Sequence, residues 1–261
     1  MTEPGLARGP FVLVLDWGIG GLDVFRRLSE GRPRAGLVYL SDSGSLPYGK
    51  MSRAALRARM EAIVSAFASR GAVAVVVACN AASTAFPGAR VPEGVPVHDV
   101  ISSGVALVRA SGHREIGLVG GVRTVLSRAH AQRLGDVRVV ARVAQPLSAM
   151  VERGELSGSA VSREVRRAVA DLRALPAVLL ACTHYPALLP VFREALPGVA
   201  LLDPAALLAE RVRASGLVPE GGGEPGFFTT GDPDEMRRSA LAAFGVTLGP
   251  VRSARALVGI A

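Results

Sequence analysis

The chain is short of the residues on which many reaction classes depend. Cys79 and Cys182 are its only cysteines and Lys50 its only lysine among 261 residues. Two cysteines without a C-x-x-C spacing supply neither a disulfide framework nor a thiol-disulfide motif, and the chain is expected to fold without disulfides or metal. A single lysine leaves one place for the Schiff base that a pyridoxal phosphate enzyme needs. Lys50 follows Pro47-Tyr48-Gly49 with no glycine-rich phosphate cradle beside it, which argues against that chemistry. The turn Gly18-Ile19-Gly20-Gly21 lacks full G-x-G-x-x-G spacing and no Walker lysine follows, so a nucleotide site is not expected. Long apolar runs are also missing. No stretch approaches the roughly 20 apolar residues of a membrane span, and Met1 to Pro10 lack the basic start and apolar core of a signal peptide. The chain reads as a cytoplasmic protein without membrane association, whose two cysteines are free thiols.

Aromatics are scarce at 5%, against 49% hydrophobic residues, which suits an aliphatic α/β core in one large or two modest domains. With lysine nearly absent, the net charge of +8 and the pI near 10.8 come from arginine. The arginines are scattered through helical stretches, such as Arg53, Arg57, Arg59 and Arg163, Arg166, Arg167. No dense basic block or nucleic-acid motif accompanies them. They read as solvated helix faces, and nucleic acid is not expected as a partner.

What is present is a repeated order of apolar strand, small polar loop and helix. Phe11 to Leu15 ends in Asp16-Trp17-Gly18, and a helical pattern covers Leu22 to Ser29. Gly36 to Leu40 ends in Ser41-Asp42-Ser43, a helix spans about Ser52 to Arg70, and Val73 to Ala78 leads to Cys79. A second series starts near Val97, with helix Gly104 to Ala110, strand Glu115 to Val119, helix Thr124 to Leu134 and strand Val137 to Val143. A helical stretch around Glu152, helix Ser159 to Leu175 and strand Ala177 to Ala181 then lead to Cys182. After Asp203-Pro204 a helix runs to about Ser215, and strand Phe227 to Thr230 precedes a helix capped by Asp232 with Pro233 at its first position and Gly245 behind it. The pattern predicts two similar parallel-sheet α/β lobes, with residues 1–97 and 206–261 in the first and 98–205 in the second.

Each cysteine ends a β-branched or aliphatic run and is followed by small polar residues, Asn80-Ala81-Ala82-Ser83 in one case and Thr183-His184-Tyr185-Pro186 in the other. In open α/β sheets that strand edge is where ligands bind. Either cysteine alone would more often be a packing residue. Two of them, one from each lobe, fit a site that works on both faces of one carbon. Moving a proton off the α-carbon of an amino acid and returning it to the opposite face takes one base and one acid, roles that a thiolate and a thiol can fill and exchange. His184 can then assist Cys182 and Asp16 can assist Cys79, while Asn80 and Thr183 hold polar groups of the substrate.

These residues resemble the cofactor-independent aspartate/glutamate racemases, most closely the glutamate racemases, over nearly the whole chain. Asp16 to Leu22 is similar to the family's D-S-G-x-G-G-L turn, Pro47-Tyr48-Gly49 to its P-Y-G loop, Cys79 to Ser83 to C-N-T-A-S, and Ala181 to Pro186 to G-C-T-H-Y-P. Ile116 to Ser127, Pro146 to Gly154 and Thr229 to Pro233 match less specifically. The resemblance implies an active site in the cleft between the lobes, a small amino-acid substrate, no cofactor or metal, and a homodimer. It implies Cys79 and Cys182 as the proton donor/acceptor pair, supported by Asp16 and His184. Trp17, Tyr48, Gly49, Asn80, Ala81 and Thr183 then line the substrate site, and Glu152 matches a carboxylate on the His184 side. The implied activity is interconversion of L- and D-glutamate, with D-glutamate going to peptidoglycan.

Several positions depart from the family pattern. Trp17 stands where the family has serine, Ala81 where it has threonine, Ser102-Ser103 for Glu-Pro, Gly121 for threonine and His130 for tyrosine. Losing a hydrogen bond to a charged group typically costs about 1.5–3 kcal/mol. The alternatives left open are racemisation of aspartate or another amino acid, and a catalytically impaired relative that binds a ligand or a protein.

Overall fold

The computed structural model describes residues 9–32, 34–221 and 223–259. Met1 to Arg8, most of the stretch inspected for a leader, therefore lie outside the described residues. The first half contains β1 (Phe11–Asp16), α1 (Leu22–Ser29), β2 (Leu37–Ser41), α2 (Arg53–Ala68), β3 (Ala72–Val77), the single turn α3 (Asn80–Ser83), β4 (Val97–Asp99) and α4 (Val100–Ala110). It continues through β5 (Glu115–Gly120), α5 (Val122–Ser127), α6 (Ala129–Leu134), β6 (Arg138–Val143), α7 (Gln145–Glu152), α8 (Ser159–Val169) and β7 (Ala177–Ala181). The remainder is α9 (Leu189–Ala195), β8 (Ala200–Leu202), α10 (Pro204–Ala214), β9 (Gly226–Thr229), α11 (Pro233–Phe244) and β10 (Val251–Ser253).

Every strand pair is parallel, in one sheet of order β10-β9-β2-β1-β3-β4 and another of order β6-β5-β7-β8. The late strands β9 and β10 thus join the first sheet beside β2. The chain passes from β1 to β2 on one side and returns to β3 on the other, so the first sheet reverses direction of growth between β1 and β3. The second does the same between β5 and β7. Crevices open at such reversals, outside the carboxyl ends of the strands. Asp16 and Cys79 stand at one reversal, and Gly121 and Cys182 at the other.

Strand residues alternate between cores, as the two-residue period requires. Leu13 and Leu15 face a first-lobe cluster, Leu179 and Ala181 a second-lobe cluster, while Val12, Val14, Val178 and Leu180 belong to one cluster that contains side chains of both sheets. The two lobes therefore share a core.

Several boundaries differ from the sequence expectation. Helix α4 begins at Val100 rather than Gly104, because the Asp99 side chain accepts from Ser102 N and caps it. The strand at Val97–Asp99, read as the start of the second series, pairs with β3 in the first sheet. The helix expected over Thr124 to Leu134 is two short helices, broken where Arg128 adopts φ 54°. Helix α8 stops at Val169, and a 3-10 turn over Ala170–Leu172 follows. Among the described residues no helix is long and apolar enough to cross a membrane.

Candidate active site

The carboxyl ends of β1, β3, β5 and β7 surround a cleft of about 390 Å³, within the ~300–1,000 Å³ typical of small-molecule sites. All eleven residues singled out from the sequence line it: Asp16, Trp17, Tyr48, Gly49, Cys79, Asn80, Ala81, Glu152, Cys182, Thr183 and His184.

Asp16 closes β1 and is buried, with Oδ1 accepting from Trp17 N at 2.7 Å and Oδ2 accepting from the Thr183 hydroxyl of the other lobe at 2.8 Å. Cys79, just past β3, stands immediately before α3 without a side-chain capping bond and is buried. Burial, and then the Asp16 charge, push the Cys79 thiol well above its usual range. Burial likewise raises Asp16, against the opposing pull of His184, Thr183 and Cys79. The first lobe therefore presents a thiol beside a carboxylate that can take its proton.

The other thiol has a different partner. Cys182 Sγ lies 3.6 Å from His184 Nδ1, and His184 Nε2 lies 2.6 Å from Glu152 Oε1 at the end of α7. Burial opposes charging His184, but its bonds to Cys182 and Glu152 outweigh that and raise the imidazole well above its ordinary value. Glu152 is held below its usual value: burial pushes it up, and the bonds from His184 and from Ile19 N, the latter 3.0 Å long, pull it down further. An imidazolium is thus placed to hold the proton that Cys182 gives up.

The glycine turn after β1 serves this second set. A Cβ at Gly18 would overlap Glu152 Oε1, and one at Gly20 would overlap the Thr183 hydroxyl, so bare backbone is what lets the lobes meet. Its glycines seat side chains of the opposite lobe.

Tyr48 lines the cleft, and its hydroxyl donates to Asp42 Oδ2, at 2.8 Å. Asp42, wholly buried, also accepts two bonds from Arg59 and one from Thr230. Asn80 is 3% exposed and neither its amide nitrogen nor its amide oxygen has a partner among the described residues, leaving both donor and acceptor capacity for a ligand. Trp17 and Ala81 pack against the same first-lobe core, so the indole forms a wall and the cleft stays open. Trp17 Nε1 has no partner among the described residues, and the indole also borders a second cavity of about 290 Å³.

Residues the sequence reading did not single out are Asp42 and Arg59 behind the Tyr48 turn, and Arg123 and Gln145 in the second-lobe wall. Asp42 follows β2 as Asp16 closes β1, and Arg123 opens the helix after β5. The strand-end rule, applied to every strand, would have found both.

The chain matches the profile of the Asp/Glu/Hydantoin racemase family over residues 12–212. It belongs to that family. Among relatives of this racemase-family chain, a glutamate racemase of Thermus thermophilus is 37% identical over 234 residues, covering 87% of this chain and 90% of the relative. A glutamate racemase of Stutzerimonas stutzeri is 32% identical over 239 residues, covering 86% and 90%. The fold of this family member superposes on the crystal structure of the Thermus thermophilus glutamate racemase in complex with beta-chloro-D-alanine, with a TM-score of 0.84 at 34% identity, covering 94% of this chain and 96% of that one. Two parallel-sheet α/β lobes are thus the fold both of this racemase-family chain and of its structural neighbour.

Proposed function

We propose that this chain is a glutamate racemase that moves the α-proton between two cysteines and uses no cofactor. The observation that carries the reading is that two thiols from different lobes line one cleft, each with its own proton partner: Asp16 for Cys79, and His184 backed by Glu152 for Cys182. The relatives named above are glutamate racemases, which favours glutamate as substrate.

In one direction the Cys79 thiol proton passes to Asp16, and the thiolate removes the α-proton of bound glutamate, leaving a planar carbanion. Cys182 delivers its thiol proton to the opposite face, and His184 then gives a proton back to the Cys182 thiolate. In the other direction the sulfurs exchange roles, with His184 receiving the Cys182 proton first. Asn80, Thr183 and the Tyr48-Gly49 turn are the groups that hold the amino acid. Asp16 and Thr183 bond across the cleft floor, which ties the two halves of the site together. Supply of D-glutamate to peptidoglycan, a cytoplasmic location and a homodimeric assembly complete the reading, on the resemblance to the family.

One observation favours a second reading within the same chemistry. Trp17 and Ala81 place an indole and a methyl group where the family pattern carries hydroxyls, which suits a different side chain on the substrate. The test of both is α-proton exchange in D2O, followed by NMR, with both enantiomers of glutamate, aspartate and a panel of other amino acids. Glutamate exchanging fastest supports the first reading, and another amino acid doing so supports the second. No exchange with any of them would contradict both.

A further inference from the structure

We infer that Arg123 reads the substrate's side chain, as the cation that takes a side-chain carboxylate. The inference rests on the racemase reading of the cleft. Arg123 is the second residue of α5, half-buried in the cleft wall, and its Nε donates to the Tyr48 carbonyl of the opposite lobe at 2.7 Å. That bond uses one of the five guanidinium donors and orients the planar fork. The remaining donors have no partner among the described residues, and no carboxylate among them pairs with it.

A partly buried ion without a counter-ion is costly to folding, which makes an unpaired arginine in a cleft wall informative. Burial lowers Arg123, with no acidic neighbour to offset the shift. The other charges lining the cleft are differently placed. Asp16 accepts from Trp17 and Thr183, and Glu152 accepts from Ile19 and His184. Lys50 is exposed, and no bond to another group holds its ammonium. On the proposed function, Asn80, Thr183 and the Tyr48-Gly49 turn take the amino and carboxylate groups common to every α-amino acid. A fixed cation beyond them answers a second negative charge, and the substrate class it selects is a dicarboxylic amino acid.

The neighbouring wall makes the same point by what it omits. Trp17 and Ala81 carry no hydroxyl and Gly121 has no side chain. Gln145 Oε1 occupies the space off Gly121 and accepts from Val122 N at 3.1 Å, while Gln145 Nε2 donates to Ser148 Oγ at 3.1 Å. Charge from Arg123 stands in for the hydroxyls absent at positions 17, 81 and 121, while Thr124 and Ser148 keep theirs in the same lining.

The experiment compares wild type, Arg123→Gln and Arg123→Lys by α-proton exchange and by calorimetric binding, with L-glutamate and its neutral counterpart L-glutamine. Arg123→Gln should lower the glutamate-to-glutamine ratio of kcat/KM about 10- to 100-fold, the usual weight of a hydrogen bond to a charged group, mainly through KM. Arg123→Lys should restore part of that ratio, because it keeps the charge and loses the planar fork. A merely structural role would weaken both substrates alike, and a ratio unchanged within threefold overturns the inference. Binding separates this failure from failure of the racemase reading. A wild type that exchanges no α-proton yet binds glutamate over glutamine, with the preference lost in Arg123→Gln, contradicts the racemase and supports Arg123. A wild type that neither binds nor exchanges glutamate overturns both.

Discussion

His130 shows how a single residue can carry a cost that the rest of the fold absorbs. It is 1% exposed, neither ring nitrogen has a protein partner, and it stands where the family pattern has tyrosine. Burial, then the nearby Arg133 charge, lower it from 6.5 to about 4, with Asp99 pulling the other way. Because the folded value is depressed, the unfolded chain binds more protons between pH 6.5 and 4. Stability is therefore complete above about pH 6.5 and falls as the pH drops toward 4, by about 3 kcal/mol from this one group. Urea midpoints at pH 5 and pH 7.5 should differ less in His130→Phe than in wild type. An equal difference would assign the acid sensitivity to other groups. At this scale the two cysteines, Asp16 and His184 were legible from sequence, because each abruptly ends or follows an apolar run. Arg123 was legible only by its place, just after β5, since one arginine among so many on helices is not distinguished by residue type.

At the level of elements, the site is made by turns at the carboxyl ends of strands, and each turn is fastened from behind. The Tyr48-Gly49 turn is fastened by Asp42, which follows β2 and holds Tyr48, Arg59 and Thr230 together. Arg59 is in turn bonded to the Val258 carbonyl, so the same cluster ties the first-lobe turn to the end of the described chain. Asp42→Asn leaves the Arg59 guanidinium without its counter-ion, and breaking such a buried pair typically costs about 3–5 kcal/mol. The variant should lose stability on that scale in chemical denaturation and raise KM more than it lowers kcat, because the turn loosens while the thiols stay in place. A variant as stable as wild type would contradict the fastening role.

Element boundaries were legible where capping chemistry is explicit, as in the Asp232-Pro233 start and Gly245 end of α11, where Asp232 Oδ1 accepts from Asp234 N and Glu235 N. They were not where a helix breaks without glycine or proline. Arg128 takes a left-handed backbone between α5 and α6 although nothing in Leu126-Ser127-Arg128-Ala129 signals a stop. Nor was the start of α4 legible: Asp99 caps it at Val100, ahead of the Gly104 start expected from the sequence.

Across the whole molecule, two similar lobes are held at a set spacing by few polar contacts over a shared core. Thr183 to Asp16, Ile19 to Glu152 and Arg123 to Tyr48 cross the cleft, and the Ser239 hydroxyl donates to the Glu152 carbonyl from α11. Strand-helix alternation made the parallel sheets readable. Strand order was harder, because the pairing of β4 with β3 depends on which lobe packs a three-residue strand, and three residues carry no period. The consequence of the architecture is chemical. In the proposed reaction the carbon would have one sulfur from each lobe, and the groups beside those sulfurs differ, a carboxylate on one side and an imidazole on the other.

The measurement that tests this most directly is the early-time fate of deuterium during racemisation in D2O, starting from each pure enantiomer, in wild type and in Cys79→Ser and Cys182→Ser. Two one-proton acids on opposite faces predict that newly formed product carries deuterium at the α-carbon while recovered substrate keeps its protium, and that both serine variants lose racemisation. Equal deuterium in substrate and product from the earliest times, or a serine variant that racemises at the wild-type rate, would contradict the two-thiol account.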